Sequence, residues 1–146
     1  MIQIQNQSMN NFKVQLKQTV AWGDMDAFGH VNNTVYLKYF ESARVRYFDT
    51  IPQLAGFKGA AIPVLANITC NFKKPVVYPD CLDLKVRVSK LGHASLQMEC
   101  EMWSPKVGLA AVASCTIVLV DVAKGHSVRM PIEWREAIEA VEERKF

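Results

Sequence analysis

The 146-residue sequence carries 17 Lys and Arg against 14 Asp and Glu, a net charge of +3, and 50% of its residues are hydrophobic. That is the composition of an ordinary globular chain, long enough to bury a core as one domain, and its small, scattered positive excess argues against a nucleic-acid binder while leaving room for a local phosphate-holding patch. The opening MIQIQNQSMNNF has neither the basic start nor the apolar centre of a secretory signal, and no stretch approaches the roughly 20 apolar residues of a membrane span, so a cytoplasmic location is expected.

From Phe12 the residues alternate, with Phe12, Val14 and Leu16 on one face and Lys13, Gln15 and Lys17 on the other. This predicts a half-buried strand ending near Trp22. A polar knot follows, WGDMDAFGHVNN at residues 22–33. Residues 33–49, NTVYLKYFESARVRYFD, then read as a helix. At about 100° per residue, Tyr36, Tyr39, Phe40, Ala43 and Tyr47 share one face, which Leu37 and Phe48 widen. Lys38, Ser42, Arg46 and Asp49 form the opposite stripe. The apolar arc is broader than that of a typical surface helix, which predicts a core element wrapped by other structure. Glu41 and Arg44 are spaced to pair along the helix, and Pro52 stops its continuation.

Four strands are expected next. In the first, Val64, Ala66, Ile68, Cys70 and Phe72 alternate with Leu65, Asn67, Thr69, Asn71 and Lys73. Strict alternation returns from Leu82 to Val88 and, after Gly92-His93, from Leu96 to Met102, which makes Met98 and Met102 core residues. Beyond Ser104-Pro105 and Gly108, the run from Leu109 to Val120 does not visibly alternate and reads as a strand buried on both faces. Pro131 opens a short terminal helix. Three tight reversals make a five-stranded antiparallel sheet the simplest arrangement, hence an α+β fold. Cys70, Cys81, Cys100 and Cys115 contain no C-x-x-C pair and read as reduced, structural thiols.

The knot admits several readings. Asn32 or Asn33 is a favoured helix cap, and an aspartate near a helix start is stabilised by its dipole; Asp24 is read this way, as structural. Asp24, Asp26 and His30 form a weak metal signature that lacks a fourth donor nearby. His30 as a base for a nucleophile needs a Ser or Cys elbow, and no G-x-S-x-G occurs. The remaining reading needs fewer parts: a carboxylate beside the free N–H groups of a helix start suits attack on the carbonyl of an activated ester, because the N–H groups stabilise the oxyanion.

The motif D-x-D-x-x-G-H-V-N-N-x-x-Y, from Asp24 to Tyr36 and continuing into YFESAR, resembles the hotdog-fold acyl-CoA thioesterases of the 4-hydroxybenzoyl-CoA thioesterase type. FKKPVVYPDCL between two strands and Arg129-Met130-Pro131 before the last helix extend the likeness over nearly the whole chain. The resemblance implies a single hotdog thioesterase domain over residues 1–146, its sheet wrapped around the long central helix, with a short C-terminal helix. It implies Asp26 as general base or nucleophile, the backbone N–H near Asn33 as oxyanion donor and His30 as an assistant. It also implies a homodimer or homotetramer with sites between protomers, and no metal or cofactor. The G-H-V-N-N form is more similar to relatives acting on fatty or other small acyl thioesters than to the aromatic-acyl enzymes. The substrate is expected to be an acyl thioester of coenzyme A or of acyl carrier protein. Tyr36, with Asn67 and Thr69 reaching a partner's acyl pocket, is a candidate for the acyl end. Arg87 and Lys90, with Lys106, Lys124 and Arg129, are candidates for the carrier phosphates by charge. A non-catalytic acyl-thioester binder and a hotdog dehydratase acting on a hydroxyacyl thioester remain alternatives.

Overall fold

The structure, a computed structural model, describes residues 11–54 and 61–146, so most of the polar opening lies outside the described residues. Strand β1 (Val14–Thr19) is followed by a short 3-10 turn at Trp22–Asp24 and by helix α1 (Asn33–Asp49). Strands β2 (Ala61–Phe72), β3 (Cys81–Leu91), β4 (Ser95–Ser104) and β5 (Gly108–Asp121) come next. A two-residue β6 (His126–Ser127) and helix α2 (Ile132–Glu142) complete the chain. The strands form one antiparallel sheet in the order β1-β3-β4-β5-β2, with β6 paired to β5. The sixth strand goes beyond the five read from the sequence; two residues are too short to show a period.

Helix α1 packs on β1, β3 and β4. Its Phe40, Ala43 and Tyr47 are fully buried against an inner sheet face that includes Leu84, Val86, Met98, Cys100 and Met102. Each large aliphatic side chain so buried contributes on the order of 1.5–3 kcal/mol. Leu37, assigned to the buried arc, is instead half-exposed at its rim. All four cysteines are free. Burial pushes the Cys100 thiol well above its ordinary range, against a smaller opposing pull from Arg44.

Two strands differ from the alternation read in the sequence. In β5, buried Ala111, Ala113, Cys115, Ile117 and Leu119 alternate with half-exposed Val112, Ser114, Thr116, Val118 and Val120, so only one face is fully buried. Small and β-branched residues on both faces hide that period. In β2 a bulge between Leu65 and Asn67 resets the pattern. Leu65 lies opposite Ile117 and Ile68 opposite Cys115, so Leu65, Ile68, Cys70 and Phe72 share the helix side.

A buried polar node ties α2 to this core. Glu142 Oε1 accepts 2.6 Å from the Tyr47 hydroxyl and 2.8 Å from the Val88 N–H. The Val88 N–H sits at the edge of a β3 register shift between Val88 and Lys90, and the carboxylate satisfies it there. Among the described residues, no helix is long and apolar enough to cross a membrane.

Candidate active site

The knot is folded by its own short-range bonds. The Asp26 N–H donates to the His30 carbonyl (2.9 Å), and the Gly29 N–H returns to the Asp26 carbonyl (3.0 Å). Gly29 takes φ +82°, a left-handed value that favours glycine in this tight reversal. The Phe28 N–H donates to Asp26 Oδ1 (2.9 Å), which fixes the carboxylate. The other carboxylate oxygen has no partner among the described residues. Asp24 is used differently: its Oδ2 accepts from the Ala21 N–H (2.9 Å) and from the Tyr39 hydroxyl (2.6 Å). Burial, with this bond second, raises the Tyr39 phenol far above its ordinary value.

The helix start completes the arrangement. Asn32 is the cap, its Oδ1 accepting 3.0 Å from the Thr34 N–H, while the Val35 N–H turns back to the Asn32 carbonyl (2.9 Å). The Asn33 N–H is therefore left without an acceptor among the described residues. The Val31 N–H donates to the Val76 carbonyl (2.9 Å), which anchors the knot to the segment between β2 and β3.

Asp26, His30, Val31, Asn33 and Tyr36 line one cleft of about 440 Å³, together with Phe72, Lys73, Lys74 and Pro75. Tyr36 meets Phe72 edge-on at 5.2 Å between ring centroids. Burial raises the Tyr36 phenol, with a backbone hydrogen bond at Val76 working against it. His30 lines the cleft, and no hydrogen bond joins its ring to the Asp26 carboxylate; it is the backbone of His30 that holds Asp26. Among the described residues no group of three His, Cys, Asp or Glu side chains is placed to hold a metal ion.

A carboxylate with one free oxygen, an unpaired helix N–H and an apolar wall thus share one opening. A likeness over most of the chain decides where this belongs: residues 20–140 match the model of the thioesterase-like superfamily. The chain belongs to that superfamily. This thioesterase-like chain is 26% identical over 117 residues to the long-chain acyl-CoA thioesterase FadM of Escherichia coli, spanning 79% of this chain and 89% of FadM. The uncharacterised YsmA of Bacillus subtilis is 30% identical over 82 residues, so the match spans about half (55%) of that relative's length and 56% of this chain. A Thermus thermophilus thioesterase, solved with coenzyme A and zinc, superposes with a TM-score of 0.83 at 33% identity, covering 94% of this chain and 100% of that one. The likeness establishes the hotdog thioesterase-like fold and acyl-CoA thioesterase homologues. It does not single out the 4-hydroxybenzoyl-CoA type.

The other candidate residues lie elsewhere. Arg87 is held by Glu99 (Nε 2.9 Å, Nη2 2.6 Å to Oε2) and stacks over Phe12. Lys90 is near the far end of β3, about 30 Å along the strand from Cys81, which pairs with Thr19 shortly before the knot. Asn67 and Thr69 pair with Thr116 and Ser114, the row facing away from α1, and the Thr69 hydroxyl lies 2.8 Å from that of Ser114. Lys106 bonds the Pro79 carbonyl. Lys73 and Lys74 are the cations that line the cleft, and neither is in an ion pair among the described residues. Their signal in the sequence is the K-K-P run of residues 73–75, which leads out of a strand beside the knot's anchor at Val76.

Proposed function

We propose that this chain hydrolyses acyl-CoA thioesters to a free acid and coenzyme A. The observation that carries the reading is the shared cleft of Asp26, with one carboxylate oxygen unengaged, and the unpaired Asn33 N–H. The Asn33 N–H receives the oxygen of the thioester carbonyl as negative charge builds on it; such a donor is worth about 3–4 kcal/mol of barrier. Asp26 takes a proton from water as the water oxygen bonds to the carbonyl carbon, and collapse breaks the C–S bond, the thiolate leaving as the thiol after protonation. Direct attack by Asp26 instead gives a mixed anhydride that water then cleaves. His30 assists from the cleft wall, and Tyr36 with Phe72 holds the acyl group by apolar contact. Lys73 and Lys74 face the carrier's phosphates by charge.

The working unit is a homodimer, its sheets joined at β2. That strand ends the sheet order, is 12 residues long, and exposes Val64, Leu65 and Phe72. A long apolar edge left uncovered is a template for strand pairing. Phe72, at its end, is part of the cleft wall.

The test is thiol release from acyl-CoAs of short to long chain, plus benzoyl-CoA, alongside a β-hydroxyacyl-CoA followed for dehydration. Turnover of saturated acyl-CoAs supports hydrolysis. Dehydration with no thiol release makes the chain a dehydratase, and saturable binding with neither reaction makes it an acyl-thioester binder.

A further inference from the structure

We infer that α1 carries a self-complementary latch for a second copy of this chain, in which Arg44 of each protomer pairs with the partner's Glu41. The inference rests on the two-copy reading above and names a contact that reading does not contain.

Arg44 lies half-buried on α1. Its guanidinium stacks over the Phe40 ring at 4.5 Å, and its charge is felt at the Cys115 thiol on the inner face of the sheet. Nη1 is buried and has no hydrogen-bond partner. Buried cationic donors are costly to leave unpaired; Arg44 as a residue is only half-buried and lines a surface cavity, so its guanidinium can turn outward to an acceptor supplied there. Glu41 stands one turn earlier on the same side and lines the same cavity of about 140 Å³, together with Val45, Phe48, Pro63, Leu65 and Ile117. Their spacing suits a pair within the helix, yet no hydrogen bond or ion pair joins them, and Glu41 is exposed without an ion-pair partner among the described residues. A free acid and an orphan base on one helical stripe are complementary to a rotated copy of themselves.

About a two-fold axis crossing the helix midway between residues 42 and 43, residue i faces residue 85 − i of an antiparallel partner helix, so Glu41 faces the partner's Arg44. The same relation brings half-exposed Leu37 towards the partner's Phe48, on the wall of the same cavity. Val45, also half-exposed, flanks the pair. Pro63 and Leu65 of β2 line the cavity, so the latch and the open sheet edge lie on one side of the molecule and make one continuous interface. Glu41 and Arg44 lie about 12 and 16 Å along α1 from Asn33, so altering them leaves the cleft lining untouched.

The experiment is a charge exchange read by sedimentation velocity, without substrate, so that association is measured independently of catalysis. Glu41→Arg places two arginines at each contact and Arg44→Glu two glutamates; each should weaken the wild-type dimer at least ~100-fold, because like charges face each other. An equimolar mixture of the two variants should form a heterodimer within about tenfold of the wild-type affinity, since both contacts are then opposite in sign. Circular dichroism confirms folding. If Arg44→Glu does not fold, Glu41→Arg decides alone: dissociation supports the latch and a wild-type dimer overturns it. Dissociated singles that fail to rescue each other also overturn it. A wild-type chain that is monomeric throughout removes the two-copy reading itself, and a wild-type dimer indifferent to both exchanges removes only the latch.

Discussion

The Tyr39 hydroxyl donates a 2.6 Å hydrogen bond to Asp24 Oδ2, joining the second turn of α1 to the turn that precedes the Asp26 carboxylate. The same oxygen accepts from the Ala21 N–H. Asp24 is thereby a brace for the knot, and Asp26, two residues on, is left to the cleft. Tyr39→Phe is expected to cost about 1–2 kcal/mol and Asp24→Asn somewhat more, because the aspartate serves two donors. At about 2–4 °C per kcal/mol for a chain of this size, melting should fall by several degrees in each. In a double-mutant cycle the two costs should be less than additive, since they remove one shared bond. Additive losses would contradict the brace.

Capping by Asn32 leaves the Asn33 N–H free for the substrate. Asn32→Ala should lower stability by about 1 kcal/mol and reduce kcat more than it raises KM, because the first turn frays where the oxyanion donor sits. Asn32→Asp keeps an equivalent acceptor and should restore both. Kinetics of the three proteins on one acyl-CoA, beside their melting curves, check this.

The Glu142 node predicts both a mutational and a pH effect. Glu142→Ala strips acceptors from the Tyr47 hydroxyl and the Val88 N–H and should cost about 2–4 kcal/mol. Burial, and then the bond to Glu142, holds the Tyr47 phenol far above its ordinary value of 10.0, and Tyr39 is raised in the same direction. Above pH 10 an unfolded tyrosine loses its proton while these two keep theirs. The folded chain then binds more protons, so stability falls as pH rises. Below that pH the contribution is fully present. Melting temperature followed upward from pH 8 should be flat with respect to these groups and then drop beyond pH 10, more shallowly in Tyr47→Phe.

Lys73 and Lys74 distinguish carrier recognition from chemistry. Exchanging both for alanine should raise KM for an acyl-CoA by roughly tenfold, through lost charge–phosphate contacts. kcat should change little, and an acyl-pantetheine thioester, which has no phosphates, should be turned over as by wild type. An equal loss on both substrates would place the lysines in the chemistry instead.

Much of this was legible in the sequence because periodicity is a local property. Helix α1, from Asn33 to Asp49, and its buried face from Tyr36 to Tyr47 follow from spacing alone. Asp26, His30, Asn33 and Tyr36 all belong to the motif D-x-D-x-x-G-H-V-N-N-x-x-Y, and all four line one cleft. What spacing does not contain is partnership across the chain. The bond between Asp24 and Tyr39 spans 15 residues and that between Tyr47 and Glu142 spans 95, and neither has a sequence signal. The β2 bulge moved Leu65 to the helix side, because one inserted residue inverts a period of two. Arg87 was chosen for its charge, but Glu99 and Phe12 already occupy it.

The central claim is that the Asp26 carboxylate performs the chemistry, and it is tested most directly by thiol release from one well-hydrolysed acyl-CoA by wild type and Asp26→Asn side by side. The substitution keeps an oxygen to accept from the Phe28 N–H and removes only the carboxylate charge. A fall in kcat of at least ~100-fold, about 2.7 kcal/mol of barrier, with melting temperature and KM near wild type, is the predicted result. Undiminished turnover by a folded Asp26→Asn protein would contradict the account and move the catalytic group elsewhere in the cleft, to His30 first.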